Sequence, residues 1–309
     1  KYALLQAAFA AADRVFGLLD TKEEPADSPD AKELVGPIDS IRFDAVDFRY
    51  LPDEPVLRGI NVDIRQGERI AIVGRTGSGK TTLLALLCRF RQPDAGRVMV
   101  AGEDLARLNV ASFRRRLGVV QQDTYLFAGT LEENVTMNAA NPDPDRIAYA
   151  FEICSLDAVR QRLVRRAQED GQEPAEASEI LDGGTNLSAG ERQLVAMARA
   201  LYRDPEILLL DEATASIDQE TERFLQEATE KVLVGRTSLV VAHRLSTVET
   251  ADRIIVLADG QIIEEGSPSA LLANPEGHLP RWLPHSGVRK RLPFKSGDFL
   301  PRPRLGGRR

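Results

Sequence analysis

Gly74-Arg75-Thr76-Gly77-Ser78-Gly79-Lys80-Thr81 fits the pattern G-x-x-x-x-G-K-[ST], and the reading of the whole chain turns on it. Just before it, Ile70-Ala71-Ile72-Val73 is a continuous apolar run of the kind a buried strand needs. Just after it, Leu83, Leu84, Leu86 and Leu87 mark the apolar side of a helix. A strand that turns sharply into a helix aims several backbone N–H groups at one point. Those donors and the positive end of the helix dipole together hold a phosphate. Glycine lets the backbone approach the anion with no Cβ in the way. In such a loop Lys80 reaches the β- and γ-phosphates, and the Thr81 hydroxyl can ligate Mg²⁺. The competing reading, an ordinary glycine-rich turn, does not account for the flanking strand and helix.

The totals agree with a globular nucleotide-binding protein. The 309 residues suffice for one large domain or two modest ones, and 43% hydrophobic residues permit a sizeable core. A net charge of −7 argues against nucleic acid as a partner. Cys88 and Cys154 stand far apart, outside any metal-ligand spacing, which fits a reducing compartment. No apolar run reaches the length of a membrane span, and no signal peptide is visible. The first residue is Lys rather than Met, so a fragment or processed form is expected.

Upstream of the loop, residues 1–19 carry Tyr2, Leu5, Phe9, Ala12, Phe16 and Leu19 at helical spacing. Residues 20–40 are acidic and hold Pro25, Pro29 and Pro37, the composition of a linker. Ile41, Phe43, Val46, Phe48 and Tyr50 nearly alternate with polar residues, as do Ile60, Val62 and Ile64. Half-buried antiparallel strands are expected here, with a bulge near Ala45. Downstream, Gly96 to Ala101 reads as a short strand. Arg114-Arg115-Arg116 reads as a solvated basic face before the strand Leu117 to Val120. From Asp145 to about Arg166 the pattern is helical and polar, followed by a charged, Pro-containing loop at 168–179. Glu191 to Leu201 is helical, and Ile207 to Leu210 and Ser238 to Ala242 are strands. Asp259-Gly260 between apolar runs signals a hairpin. Beyond Asn274, Pro280, Pro284, Pro293, Pro301 and Pro303 and an excess of basic residues read as a disordered tail.

Asp211-Glu212 adds chemistry to the phosphate loop. Four aliphatic residues place Asp211 at the carboxyl end of a buried strand, the edge at which open α/β sheets bind ligands. A carboxylate there can hold Mg²⁺ directly or through water. Glu212 can orient or deprotonate an attacking water. Gln122 and His243 also follow strands: the Gln122 amide can contact Mg²⁺ or water, and the His243 imidazole the γ-phosphate or the attacking water, although alone the glutamine is unremarkable and such a histidine is more often structural. Leu187-Ser188-Ala189-Gly190-Glu191 opens a helix. Ser188 with Glu191 forms a capping-box pattern, while Ser188 and Gly190 at a helix start equally suit a second anion site. The residues alone leave both readings open.

From about Ile41 to Ala273 the chain resembles the ATP-binding domain of an ABC transporter, because its motifs occur in that family's order. Tyr50 matches the adenine-stacking aromatic, and Gly74 to Thr81 the Walker A loop. Gln122 matches the Q-loop glutamine, and Leu187 to Gln193 the signature. Ile207 to Glu212 matches Walker B with its catalytic glutamate. Ala215-Ser216-Ile217-Asp218 matches the D-loop, and His243 the switch histidine. The resemblance implies an α/β fold, with a P-loop NTPase (RecA-like) core, an antiparallel β subdomain and an α-helical subdomain at about 124–190. It implies ATP and Mg²⁺ as ligands. The nucleotide would meet Tyr50, Val56, Gly74, Arg75, Thr76, Gly77, Ser78, Gly79, Lys80, Thr81 and Thr82. The metal would meet Thr81, Gln122 and Asp211. Glu212, His243 and Gln122 would serve catalysis. Leu187, Ser188, Ala189, Gly190 and Glu191, with Asp218 of the D-loop, would serve a site shared with a partner.

Residues 1–19 resemble the cytoplasmic end of an exporter's last transmembrane helix, and 20–40 its linker to the ATPase domain at 41–273; 274–309 is the basic tail. Under this resemblance the chain is the ATPase part of a bacterial exporter half-transporter of the multidrug and lipid type. It would pair head to tail with a second ABC ATPase domain, as homodimer or heterodimer, beneath its own upstream transmembrane domain. Its place would be the cytoplasmic face of the bacterial inner membrane. A soluble ABC-type ATPase, or a nucleotide-sensing module not coupled to transport, is the alternative. Ala189 and Glu191 depart from the family's Leu-Ser-Gly-Gly-Gln. The added methyl and the added negative charge are expected to weaken contact with γ-phosphate and to favour an asymmetric pair.

Overall fold

The computed structural model describes residues 2–20, 25–169, 179–211, 219–242, 244–274 and 276–282. Among these, the strands form two sheets that meet over the phosphate-loop helix.

The first sheet is antiparallel and four-stranded, in the order β2-β1-β4-β5: β1 (Ser40–Leu51), β2 (Glu54–Arg65), β4 (Ala95–Val100) and β5 (Glu103–Asp104). Its expected bulge is present. The β1–β2 register slips between Phe43 and Val46, where Ala45 adopts φ 48° and its N–H donates to Asn61 Oδ1 at 2.9 Å.

The second sheet runs in the order β10-β9-β3-β8-β7-β6. Five strands are parallel: β3 (Arg69–Val73), β6 (Leu117–Val120), β7 (Ile207–Asp211), β8 (Thr237–Val241) and β9 (Arg253–Ala258). The sixth, β10 (Gln261–Gly266), adds an antiparallel edge through the turn at Asp259 and Gly260, with φ 48° and 76°.

The continuous apolar runs are explained by burial on both faces. In β7, Ile207 and Leu209 enter the core between the two sheets, while Leu208 and Leu210 enter the core against the helices. In β3, Ile70 and Ile72 face the inter-sheet core, and Ala71 and Val73 face a smaller cluster with Val248, Ile254 and Leu279. Every residue of β7 and β8 is buried, as central strands covered on both faces require.

Helix α2 (Lys80–Leu87) follows the phosphate loop and packs Leu83, Leu84, Leu86 and Leu87 into the inter-sheet core. A short α3 (Val110–Arg114) precedes β6. Between β6 and β7 lies a helical layer of α4 (Leu131–Thr136), α5 (Pro144–Ile153), α6 (Leu156–Glu169) and α7 (Ala189–Tyr202). The starts of these helices are encoded locally. Thr130 and Glu133 form a capping box on α4, and Asp143 with Pro144 opens α5. Helix α8 (Gln219–Leu233) packs against α7, and α9 (Leu245–Thr250) follows β8. The N-terminal helix α1 (Tyr2–Leu19) leaves Tyr2, Phe9, Val15, Phe16 and Leu19 exposed. No described helix is long and apolar enough to cross a membrane.

Three regions differ from the sequence-based expectation. The stretch 25–40 is fastened to the core rather than loose. Asp27 accepts from the buried Arg89, Lys32 bridges to Leu108, and Ile38 is buried with its N–H donating to Glu206. The arginine triplet is not a solvated face. Arg114 donates to the carbonyls of Cys88 and Arg89 and stacks over Phe90, and Arg116 pairs with Glu206; only Arg115 lies mostly in solvent. Residues just beyond Asn274, expected to lie in the tail, are helical in part. After α10 (Pro268–Ala273), α11 (His278–Trp282) is a helix with Leu279 fully buried, and Glu264 accepts from the N–H groups of His278 and Leu279. Pro280 is compatible because the first turn of a helix needs no donor there. The loop expected at 168–179 falls largely outside the described residues, as do 283–309.

Candidate nucleotide site

The phosphate loop joins the carboxyl end of β3 to the first turn of α2. Its glycines are required by contact as well as by conformation. Gly79 adopts φ 103°, and a Cβ there would lie 2.6 Å from Leu57 Cδ2 and 3.1 Å from the Val56 carbonyl oxygen. A Cβ on Gly74 would lie 2.2 Å from the Leu257 carbonyl oxygen. The loop is therefore wedged between β2 and β9.

Lys80 is buried, and its ammonium donates to the carbonyls of Gly74 at 2.8 Å and Arg75 at 2.9 Å. The lysine thus lies back across its own loop. Burial holds its pKa below the ordinary lysine value, and the Asp211 carboxylate offsets part of that effect. Ser78 Oγ is buried without a hydrogen-bond partner. An orphaned hydroxyl, a buried cation and clustered N–H donors fit an anionic ligand.

The Thr81 hydroxyl donates to Asp211 Oδ2 at 2.9 Å, across 130 residues of sequence. Asp211 is the last residue of β7 and is paired in register with Val241 of β8. A hydroxyl and a carboxylate oxygen are the hard donors Mg²⁺ prefers, and they leave its other positions to phosphate and water.

Tyr50 is 54% exposed, its ring edge-on to Phe48 at 4.9 Å, with its hydroxyl 3.3 Å from Thr82 Oγ1 on the first turn of α2. An exposed aromatic anchored beside the loop leaves a ring face open to a planar group. Val56 is half-buried, and its carbonyl lies against Gly79 and Gly260. Gln122 is exposed just beyond β6, whose Val120 pairs with Leu210, so it stands at the same sheet edge as Asp211. Glu212, Asp218 and His243 lie outside the described residues.

Leu187, Ser188, Ala189, Gly190 and Glu191 open α7, on the helical layer. Among the described residues no hydrogen bond joins 187–191 to 74–82. The capping box is real: Glu191 N–H donates to Ser188 Oγ at 3.2 Å, and Ser188 N–H donates to Glu191 Oε2 at 2.7 Å. The negative charge that Glu191 adds is met by arginines of the same chain. Its side chain is only 1% exposed and is paired with Arg162 at 3.2 Å and Arg166 at 3.5 Å, both on α6. Sequence reasoning missed these arginines. Their i,i+4 spacing places them on one helix face, but only the packing of α6 shows what they face.

A wedged glycine loop, a lysine and threonine opening its helix, and a carboxylate at the end of a neighbouring parallel strand define a P-loop nucleotide-binding fold. The profile described as ABC transporter matches residues 57–215, and the chain belongs to that family through its ATP-binding domain. It is 43% identical over 272 residues to the ATP-dependent lipid A-core flippase of Ralstonia nicotianae, covering 87% of this chain and 44% of that protein. It is 40% identical over 273 residues to the fatty acid ABC transporter ATP-binding/permease protein of Mycobacterium bovis, covering 88% of this chain and 41% of that one. The structure of a bacterial Atm1-family ABC exporter with ATP bound superposes with a TM-score of 0.77 at 34% identity, over 94% of this chain and 49% of that chain. The chain thus spans less than half the length of these curated relatives.

Proposed function

We propose that this chain is the ATP-hydrolysing part of an ABC exporter of the half-transporter type, working at the cytoplasmic face of a bacterial inner membrane. The observation that carries the reading is the Thr81–Asp211 hydrogen bond, which joins the phosphate loop to the strand-end carboxylate. In this reading residues 74–82 bind the phosphates, Tyr50 and Val56 receive the adenine side, and Thr81, Asp211 and Gln122 hold Mg²⁺. The metal, when bound, would neutralise charge on the β- and γ-phosphate oxygens. Lys80 would exchange its two loop carbonyls for phosphate oxygens. Glu212 would accept the proton of the attacking water, and His243 would orient that water against the γ-phosphate.

The signature residues 187–191 would close on the nucleotide of a second ATPase domain arranged head to tail, with Asp218 at the same interface. Closure assembles the site and hydrolysis releases it, so positioning is the switch. The exposed apolar residues of α1 support its continuation into a membrane domain upstream, and the fastening of 25–40 supports transmission of movement through that segment. Because the charge of Glu191 is neutralised internally, Glu191 no longer argues for an asymmetric pair; Ala189 alone retains that argument. Relatives named for lipid A-core and for fatty acids share this module, so cargo choice falls to the membrane domain.

The test is steady-state ATP hydrolysis with and without Mg²⁺, in the wild type and in Glu212→Gln. The reading requires turnover that needs the metal and is abolished by the substitution, with nucleotide binding retained. Wild-type rates in Glu212→Gln would sink it.

A further inference from the structure

Glu191 does more than cap a helix. It is buried at the first turn of α7, and one of its oxygens receives the Ser188 N–H at 2.7 Å. The other faces Arg162 Nε at 3.2 Å. That contact is an ion pair outside hydrogen-bond geometry; Arg162 donates instead from Nη1 to Thr221 Oγ1 at 3.2 Å and lies 5.8 Å from the centre of the Phe224 ring. Thr221 is 1% exposed and sits in the first turn of α8, three residues beyond Asp218. Arg166 completes the cluster, donating to the Asn186 carbonyl at 3.2 Å and to Glu191 at 3.5 Å. One arginine of α6 therefore touches the start of α7 and the start of α8 together. The first helix start carries the signature residues. The second emerges from the segment that holds Glu212 and Asp218.

We propose that Arg162, held by Glu191, is a positioning residue that links the signature turn to the first turn of α8, so that the two faces of the dimeric site move as one unit. This rests on the functional reading above only for its consequence; the link itself is a property of the folded chain. Glutamate is required because glutamine could keep the cap but not the ion pair with two guanidinium groups. From its charge alone, Glu191→Gln would be expected to strengthen phosphate contact. The link gives the opposite sign.

Amide hydrogen exchange on the whole chain separates the two readings. In Glu191→Gln, which preserves the capping geometry, exchange in the first turns of both α7 and α8 should quicken on the order of tenfold, the consequence of losing a charged partner. A change confined to α7, or no change, overturns the proposal. In Arg162→Gln the first turn of α8 should open equally, with ATP affinity at the chain's own phosphate loop unchanged and half-maximal hydrolysis displaced to higher protein concentration. The double variant should exchange in α8 no faster than Arg162→Gln alone; additive effects would contradict the link. If Arg162→Gln loses protection throughout β3 and β7, Arg162→Lys takes its place. Lysine keeps charge for Glu191 but lacks the fork that spans both helices, so α7 should stay protected while α8 opens. Protection of α8 in that variant would count against the proposal. Absence of hydrolysis in the wild type would overturn the functional reading and leave the exchange result to decide the link.

Discussion

Replacing Asp27 by alanine should destabilise the whole domain, although Asp27 lies outside the nucleotide site. Arg89 follows the phosphate-loop helix, with φ 53° and 1% of its side chain exposed. Its guanidinium donates to Asp27 Oδ1 at 2.7 Å, to the Leu108 carbonyl at 2.6 Å and to the Ala26 carbonyl at 3.1 Å. Asp27 also accepts from Asn109 Nδ2 and from the Val110 N–H at the start of α3. Breaking a buried ion pair by removing one partner costs about 3–5 kcal/mol. Asp27 is 28% exposed, so solvent takes up part of that, leaving about 2–3 kcal/mol. Loss of the contact to the α3 N-terminus adds about 1 kcal/mol. The expected total is about 3–4 kcal/mol, read as a lower urea midpoint at unchanged slope. Asp27→Leu combined with Arg89→Met should recover most of it, because an apolar pair carries no stranded charge. A loss below about 1 kcal/mol in Asp27→Ala, or no recovery in the pair, would refute the reasoning.

Other expectations follow from the site. Gly79→Ala should reduce ATP binding about tenfold or more, since its Cβ meets Leu57 at 2.6 Å; wild-type affinity by fluorescent-nucleotide titration would contradict the wedged loop. Tyr50→Ala should cost about 1–3 kcal/mol of ATP binding while Tyr50→Phe stays near wild type, and equal losses would mean that the hydroxyl contact to Thr82 matters rather than the ring face. Phosphate favours protonated Lys80, whose pKa in the free protein is lowered by burial. ATP affinity should therefore begin to fall with rising pH below the ordinary lysine value of about 10.4, and Lys80→Arg should remove that slope. An affinity flat through that range in the wild type would contradict the shift. The same lowered pKa makes the unfolded chain the better proton binder between the two values, so Lys80 opposes folding at neutral pH and ceases to as pH rises through that window.

Much of this architecture is legible in the sequence because strong local signals agree with the tertiary outcome. Ile207 to Leu210 reads as a doubly covered strand since nothing in it could face water, and the bulge at Ala45 shows as a break in alternation. Lys80, Thr81 and Asp211 are readable because phosphate chemistry constrains type and spacing together. What failed was reasoning from charge. Arg114 and Arg116, read as part of a solvated face, and Glu191 find partners in distant segments, and Arg89, whose buried pairing with Asp27 no local pattern announces, gives no signal at all. The helix His278–Trp282 is hidden for a similar reason: its proline and basic neighbours outweigh its two apolar anchors, Leu279 and Trp282.

The central proposal is that this site closes on ATP against a second ATPase domain, for which a second copy of the chain serves in solution, and reopens after hydrolysis. Sedimentation of Glu212→Gln and wild type, each with Mg²⁺-ATP, tests it most directly. The account requires a dimer in Glu212→Gln that ATP supports and ADP does not, and in the wild type a hydrolysis rate rising faster than linearly with protein concentration. A monomer in every nucleotide state, with a rate strictly proportional to concentration, would contradict it.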